Sequence, residues 1–517
     1  MEIISRFGDE RGIGIQADEI RHPIYLICPV PEGEASPLSS RCSKGVNVSL
    51  TIHQHNFNRQ LLNFGGMKGS NLLVSGGTIV TPDGMFKGDI SVVGGRIAEI
   101  GTKLHVDGVK TIDASGLIVL PGAIDSHVHM RDPGLVDFED FQTGTAAAAA
   151  GGVTTVLEMP NTLPPVDTVA KLKEKRKQIE SKAVVDFGLY GVLHDSNLEE
   201  VGALIESGAV GLKAFMGPTT GNIPPPSDAT IYEALLLSRK QGFPIAFHAE
   251  NAAMISYYTE LIKKTGRTDP KAHCDSRPAI CETEAINRIA YLTLKSGGHG
   301  HIVHMSTAEG GEIVSSYKKL GAPITCETNP QYLSMTEEDQ EKYGSLAKIN
   351  PPLRSEKDQA ALWNGIASGI IDTLGSDHAP HPADRKKSPN IWDAPSGFIG
   401  VETLVPVMLD FAARGKITLQ KITLLLSENP AKLYKLWPCK GRIGLEADGD
   451  LAIVELGKEH VIRAEKLHSK QKVTPFDGRV IKGAIKYTVV RGNVVYDGDV
   501  GPSAGDWINP MDMLHGR

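Results

Sequence analysis

Two histidines one residue apart, His127 and His129, lie in the stretch Ala123 to Gly134, AIDSHVHMRDPG. On a β-strand, side chains at i and i+2 share a face, so two imidazoles at a strand end can share one metal ion. The same pair also occurs on polar edges that hold no metal. Arg131 follows one step further along that face, and Asp132-Pro133-Gly134 then turns the chain. Metal ligands beside a cation suit an anionic substrate. Four more residues of ligand type recur in short, similar contexts: Lys213 in GLKAFMG, His248 in IAFHAEN, His304 in IVHMST and Asp377 in TLGSDHAPH. Each alone reads as a core or loop residue. A protonated lysine has no lone pair for a metal, and burying it unpaired is costly. A neutral lysine amine can add carbon dioxide and become an anionic carbamate, able to bridge two metals roughly 3.5–4 Å apart. The other reading of Lys213 is an ion-paired lysine at a strand end; its place before Phe215-Met216-Gly217 favours the ligand.

These residues need a frame that brings them together. Short apolar runs over Ala123–Val128, Val153–Glu158, Val184–Leu189, Gly211–Phe215, Ile245–His248, His301–His304, Ile324–Glu327 and Asp372–Gly375 read as strands. Helical patterns over Thr168–Lys182, Thr230–Gln241, Glu282–Ser296 and Gly310–Leu320 lie between several of them. Eight strands alternating with helices predict an α/β fold, a (β/α)8 barrel, whose catalytic groups sit at the C-terminal strand ends. Five of the eight strands then carry a ligand type at the same relative place. An open doubly wound sheet is the alternative, and no glycine-rich phosphate loop follows the first strand.

The barrel is assigned to residues 121–437. Residues 67–120 and 438–517 are strand-rich and punctuated by Gly, Asp and Pro, as in NLLVSGGTIVTPDG and IKYTVVRGNVVYDGD. They read as a small antiparallel sheet, and together they predict one small β domain built from the segments on either side of the barrel. Residues 1–66 show no sustained period and read as an extension of unknown role, with Met67 as an alternative start. They lack the pattern of a secretory signal, and Glu2, Asp9, Glu10, Asp18 and Glu19 speak against a transit peptide. A net charge of −7 over 517 residues carries no basic signature of nucleic-acid binding. No apolar run approaches a membrane span. The six cysteines are scattered without a C-x-x-C pair, which suits a reducing, cytoplasmic setting and no thiolate zinc site.

The ordered motifs HVHMRDPG, GGVTT, MPNT, KAFMG, HAEN, HMST, NPPLR and SDHAPH resemble the amidohydrolase superfamily, in its cyclic amidase group of dihydroorotases, allantoinases and hydantoinases. The resemblance covers about Asn71 to Val500. It implies a barrel with a small β-sandwich built from the segments on either side of it, and two divalent metal ions, most often zinc, with carbon dioxide carbamylating Lys213 as the bridge. His127, His129 and Asp377 would hold one ion, His248 and His304 the other, and Asp377 would be the catalytic proton carrier. It also implies a homo-oligomer, a dimer or tetramer. Arg131 and Asn161 would bind a substrate carboxylate, with Asn350, His381, Ser396 and Gly397 completing the pocket. Because Arg grips a carboxylate with two parallel hydrogen bonds, this pattern points to dihydroorotase, interconverting dihydroorotate and N-carbamoyl-aspartate in pyrimidine synthesis. Allantoinase or hydantoinase (dihydropyrimidinase) is the alternative. ETNPQYL (327–333) is closer to hydantoinases, and Ser396 stands where dihydroorotases often carry Phe. Metal-less relatives keep this fold as scaffolds, but all six ligand positions are filled here. No Ser-His-Asp or Cys-His signature competes.

Overall fold

The computed structural model describes residues 71–514. The proposed extension at 1–66 and the Met67 start lie outside them. The barrel strands are Ala123–Val128, Val153–Glu158, Asp186–Leu189 continued by Gly191–Leu193, Leu212–Phe215, Pro244–His248, His299–Ile302, Ile324–Thr328 and Thr373–Leu374. Each pairs in parallel with the next. A bridge between Val128 and His378 joins the last segment to the first and closes the ring. The third strand breaks at Tyr190. Its first half pairs with strand two and its second with strand four, while the Tyr190 hydroxyl donates to Ser126 O at 3.0 Å. The first two strands are buried at every position. Helices cover their outer face and barrel-filling side chains their inner face, so no polar alternation survives.

Helix ends follow local chemistry. The helix Asp228–Gln241 starts where the Ser227 side chain accepts from Thr230 N, and it stops at left-handed Gly242. Thr168 caps Val169–Ile179 in the same way. The sixth strand ends at Ile302, earlier than its sequence suggests, so His304 sits in the loop beyond it. Among the described residues no helix is long and apolar enough to cross a membrane. Cys274, Cys281, Cys326 and Cys439 are free thiols.

The second body is an eight-stranded sheet drawn from both flanks of the barrel. Leu451–Val461 pairs antiparallel with Ile118–Pro121, which splices the C-terminal strands onto the N-terminal ones. Leu72, Val74, Ile90, Ile97, Leu451 and Val489 share its core, and this is the small β-sandwich of an α/β barrel protein. The sheet is mixed rather than antiparallel. Lys110–Asp113 and Ile118–Pro121 both run parallel to Leu72–Thr81. Strand texture reports that a segment pairs, not in which direction, because both ladders accept the same side chains.

One buried cation ties the sandwich to the barrel. Lys440 Nζ lies 2.6 Å from Asp186 on strand three, 2.9 Å from Asp448 and 2.7 Å from Asp450. Arg491 adds a second contact to Asp186. The three carboxylates form a cluster of metal-binding type, but the ammonium occupies their centre. Lys440→Met leaves buried carboxylates without their partner, which costs about 3–5 kcal/mol. Urea unfolding should show the midpoint falling accordingly. An unchanged midpoint would mean that Arg491 neutralises the cluster alone.

Candidate active site

The strand ends and the loops beyond them enclose a cavity of about 290 Å3, the scale of a small-molecule site. It brings together all twelve residues singled out from the sequence: His127, His129, Arg131, Asn161, Lys213, His248, His304, Asn350, Asp377, His381, Ser396 and Gly397. Phe215, Thr219 and Thr220 also line it.

At its floor, Asp377 Oδ1 lies 3.3 Å from His127 Nε2 and 3.4 Å from His129 Nε2. The ligand atoms of these three residues all lie within 4.8 Å of one another. Lys213 Nζ is 3.4 Å from His127 Nε2. Beside them, His248 Nδ1 faces His304 Nε2 at 2.9 Å. Burial, with the cations Lys213 and Arg131 nearby, holds His127 and His129 well below the usual histidine range, and burial does the same to His304. They are therefore neutral imidazoles, the form that offers a lone pair to a metal. Burial also brings Lys213 down to about 8, against the pull of Asp377 and Glu327. Convergent neutral imidazoles, a carboxylate and a readily deprotonated amine fit a divalent metal centre.

Two acids that orient these candidate ligands escape a reading by sequence alone. Glu327, at the end of strand seven, takes His127 Nδ1 at 2.9 Å and Ser126 Oγ at 3.2 Å. Burial raises its carboxyl to about 7. Gly375 passes so close that a Cβ there would meet Glu327 Oε2 at 2.6 Å. Glu250 takes His248 Nε2 at 2.9 Å and Arg277 Nη1 at 2.5 Å. Such carboxylate partners fix the tautomer and rotation of a ligating histidine. The only signal for them was position, Glu327 in ETNP and Glu250 in HAEN.

The upper wall departs from a simple strand. The first strand ends at Val128, and Arg131 adopts a left-handed backbone (φ 62°). His304 (φ 40°) and Asp377 (φ 49°) do the same. Left-handed non-glycine residues cost of order 1–3 kcal/mol each and persist where their surroundings over-determine them. Arg131 is buried, with Nε and Nη1 lacking a hydrogen-bond partner among the described residues. No acid among the described residues hydrogen-bonds the Arg131 side chain; Glu158, Asp377 and Glu139 reach it through charge alone. Glu158 pairs with Lys175 at 3.0 Å and accepts Met130 N at 2.7 Å, and Asp132 pairs with Lys182 at 2.7 Å. The Asn161 amide oxygen is taken by His129 Nδ1 at 2.7 Å, so Asn161 also orients a candidate ligand. His381 Nε2 meets Ser396 O at 2.9 Å. Ser396 thus contributes its backbone as well as lining the cavity. Asn350 Oδ1 is buried and lacks a partner among the described residues.

Fold and cavity together define a class, a barrel enzyme whose chemistry runs on ligand-type side chains at strand ends. Residues 118–495 match the amidohydrolase family, and the chain belongs to that family. It is 37% identical over 449 residues to an allantoinase from Deinococcus radiodurans, covering 86% of this chain and 99% of that one. It is 36% identical over 431 residues to an L-hydantoinase from Paenarthrobacter aurescens, covering 82% and 94%. Among solved structures, an L-hydantoinase (dihydropyrimidinase) from Arthrobacter aurescens superposes with a TM-score of 0.83 at 35% identity, covering 85% of this chain and 100% of that one. A dihydropyrimidinase from Brevibacillus agri gives 0.80 at 29%, covering 85% and 98%. The expectation of a dihydroorotase finds no support in these likenesses. Its weight rested on Arg131 and Asn161, whereas relatedness is carried by the whole barrel and sandwich.

Proposed function

We propose that this chain is a metal-dependent hydrolase of cyclic amides, of the allantoinase and hydantoinase type. The observation that carries this reading is the convergence of His127, His129, Lys213, His248, His304 and Asp377 on one small cavity, in a chain related along most of its length to such enzymes. His127, His129 and Asp377 would hold one divalent ion and His248 and His304 a second, zinc being the first choice, with carbamylated Lys213 between them. Bound there, the metal would supply Lewis acidity and an activated water. The rest falls to the chain. Asp377 Oδ1 takes a proton from the attacking water and delivers it to the ring nitrogen as the carbon–nitrogen bond breaks. Glu327 and Glu250 keep the imidazoles turned inward. The six residues of the upper wall, Arg131, Asn161, Asn350, His381, Ser396 and Gly397, seat the ring.

Purified, metal-loaded protein assayed side by side on allantoin, hydantoin and dihydroorotate tests this. Turnover of allantoin or hydantoin is the expected outcome, and no turnover of any cyclic amide would sink the reading.

Arg131 favours a second reading within the same reaction class, a ring bearing a carboxylate, as dihydroorotate does. A buried guanidinium with two unpaired N–H groups is costly unless a ligand meets it, and neutral allantoin and hydantoin offer no anion. On this reading Arg131→Met should depress dihydroorotate turnover far more than hydantoin turnover. Truncating one partner of a desolvated charged pair costs about 2–5 kcal/mol, roughly 30- to several-thousand-fold. The quantity to measure is the ratio of kcat/KM for the two substrates in wild type and variant. An unchanged ratio would make Arg131 structural and leave only the first reading.

A further inference from the structure

Two buried lysines behind the cavity meet no carboxylate within 4.0 Å among the described residues. Lys348 is 7% and Lys386 0% exposed. Lys348 Nζ donates to Ile391 O and Ala394 O, both at 2.6 Å. Lys386 Nζ donates to Lys348 O at 2.7 Å and Pro395 O at 3.0 Å. Gly397 N donates to the same Lys348 carbonyl at 2.9 Å. The two amines therefore satisfy four backbone carbonyls, three of them in the segment 391–395. Two residues beyond Lys348 stands Asn350, and immediately after Pro395 stand Ser396 and Gly397; all three line the cavity. Gly397 has φ 123°, and a Cβ there would lie 2.6 Å from Ala379 O, so only glycine fits this position of the wall.

Resting on the cyclic amide reading, we infer that Lys348 and Lys386 are positioning residues that set the width of the substrate pocket, by locking the wall of Asn350 to the wall of Ser396 and Gly397. Neither side chain touches the cavity. Their action passes through the carbonyls they hold. A buried amine paired only with carbonyls is a poor device for stability, since desolvating a cation is costly. Burial and the neighbouring Lys348 push the Lys386 amine well below the ordinary lysine range. Both carbonyl partners of the Lys386 amine are backbone groups of the pocket walls, at 2.7 and 3.0 Å. The arrangement makes sense where a loop without regular structure must be held to a fraction of an ångström, because pocket fit decides selectivity.

The test compares Lys386→Met, Lys386→Gln and Lys348→Met with wild type on an unsubstituted and a bulky ring-substituted form of whichever cyclic amide the wild type turns over. Hydrogen exchange of the 391–397 amides and bound metal are read alongside. Lys386→Met should keep its metal, exchange faster across 391–397, and raise KM more than it lowers kcat. Its preference between the two rings should relax by ~10-fold or more, the scale of a misfitted pocket. Gln, which keeps two N–H donors, should restore part of that preference. An unaltered preference and unaltered exchange in both Met variants would overturn the inference, as would equal loss on both rings without a change in KM. Should Lys386→Met fail to fold, Lys348→Met and Lys386→Gln still decide it by the same readings. If the wild type hydrolyses no cyclic amide, the functional reading fails, and the exchange of 391–397 still judges the lock.

Discussion

Lys213→Ala protein should purify with most of its metal gone and its hydrolytic activity lost with it. Loss of an outer-shell partner costs ~10–100-fold in metal affinity or activity, and removing the proposed bridge between two ions should exceed that. The wild-type lysine is fully buried with Nζ 3.4 Å from His127 Nε2. Burial brings its amine down to about 8, so about a tenth of it is uncharged at pH 7, against well under about a thousandth for an ordinary lysine, and that fraction can react with carbon dioxide. A short carboxylic acid added to the variant should restore part of both metal and rate, by placing two oxygens where the carbamate would be. Metal content is measured first, then turnover with and without the acid. A variant with full metal and full rate rules out the carbamate, and Lys213 would then be a buried cation balancing Asp377 and Glu327.

Asp377→Asn keeps the shape of the side chain and removes its ability to accept a proton. Turnover should fall by ~10²–10⁴-fold, the range for lost general acid–base catalysis. Asp377 also stands among the candidate metal ligands, 3.3 Å from His127, so the loss must be measured at matched metal content. A rate that returns to wild type in excess metal would remove Asp377 from proton transfer and leave it as a ligand only.

The parts of this site legible in the sequence were those fixed by local pattern. His127 and His129 announce themselves by spacing, and the strands that carry Lys213 and His248 by short apolar runs ending at ligand types. What stayed hidden depends on distant partners. Glu327 meets His127 across 200 residues of chain, and nothing in ETNPQYL says which imidazole it will hold. The left-handed turn at Arg131 is equally invisible, because it is imposed by the surrounding loops. The break at Tyr190 and the parallel pairing of Lys110–Asp113 were missed for a related reason. Strand propensity describes a side chain on a pleated surface and carries no partner or direction. Substrate choice proved hardest. A single Arg suggests an anion, while overall likeness points to uncharged rings, and residue type alone does not weigh one against the other.

The cation shared by Asp186, Asp448 and Asp450 has a consequence for how the chain is made. Asp186 enters strand three early in synthesis, but Lys440 follows 254 residues later and Arg491 305 residues later. Until those residues leave the ribosome, the Asp186 carboxylate lacks every partner it has in the finished fold, Lys440, Arg491 and the Asp506 amide. A nascent chain halted before Lys440 therefore has reason to stay open, its apolar strands accessible to chaperones and to one another. Long-range closure of this kind slows folding. It also means that the barrel cannot be lifted out as a free-standing unit for engineering, since its third strand borrows its counter-charge from the far end of the polypeptide.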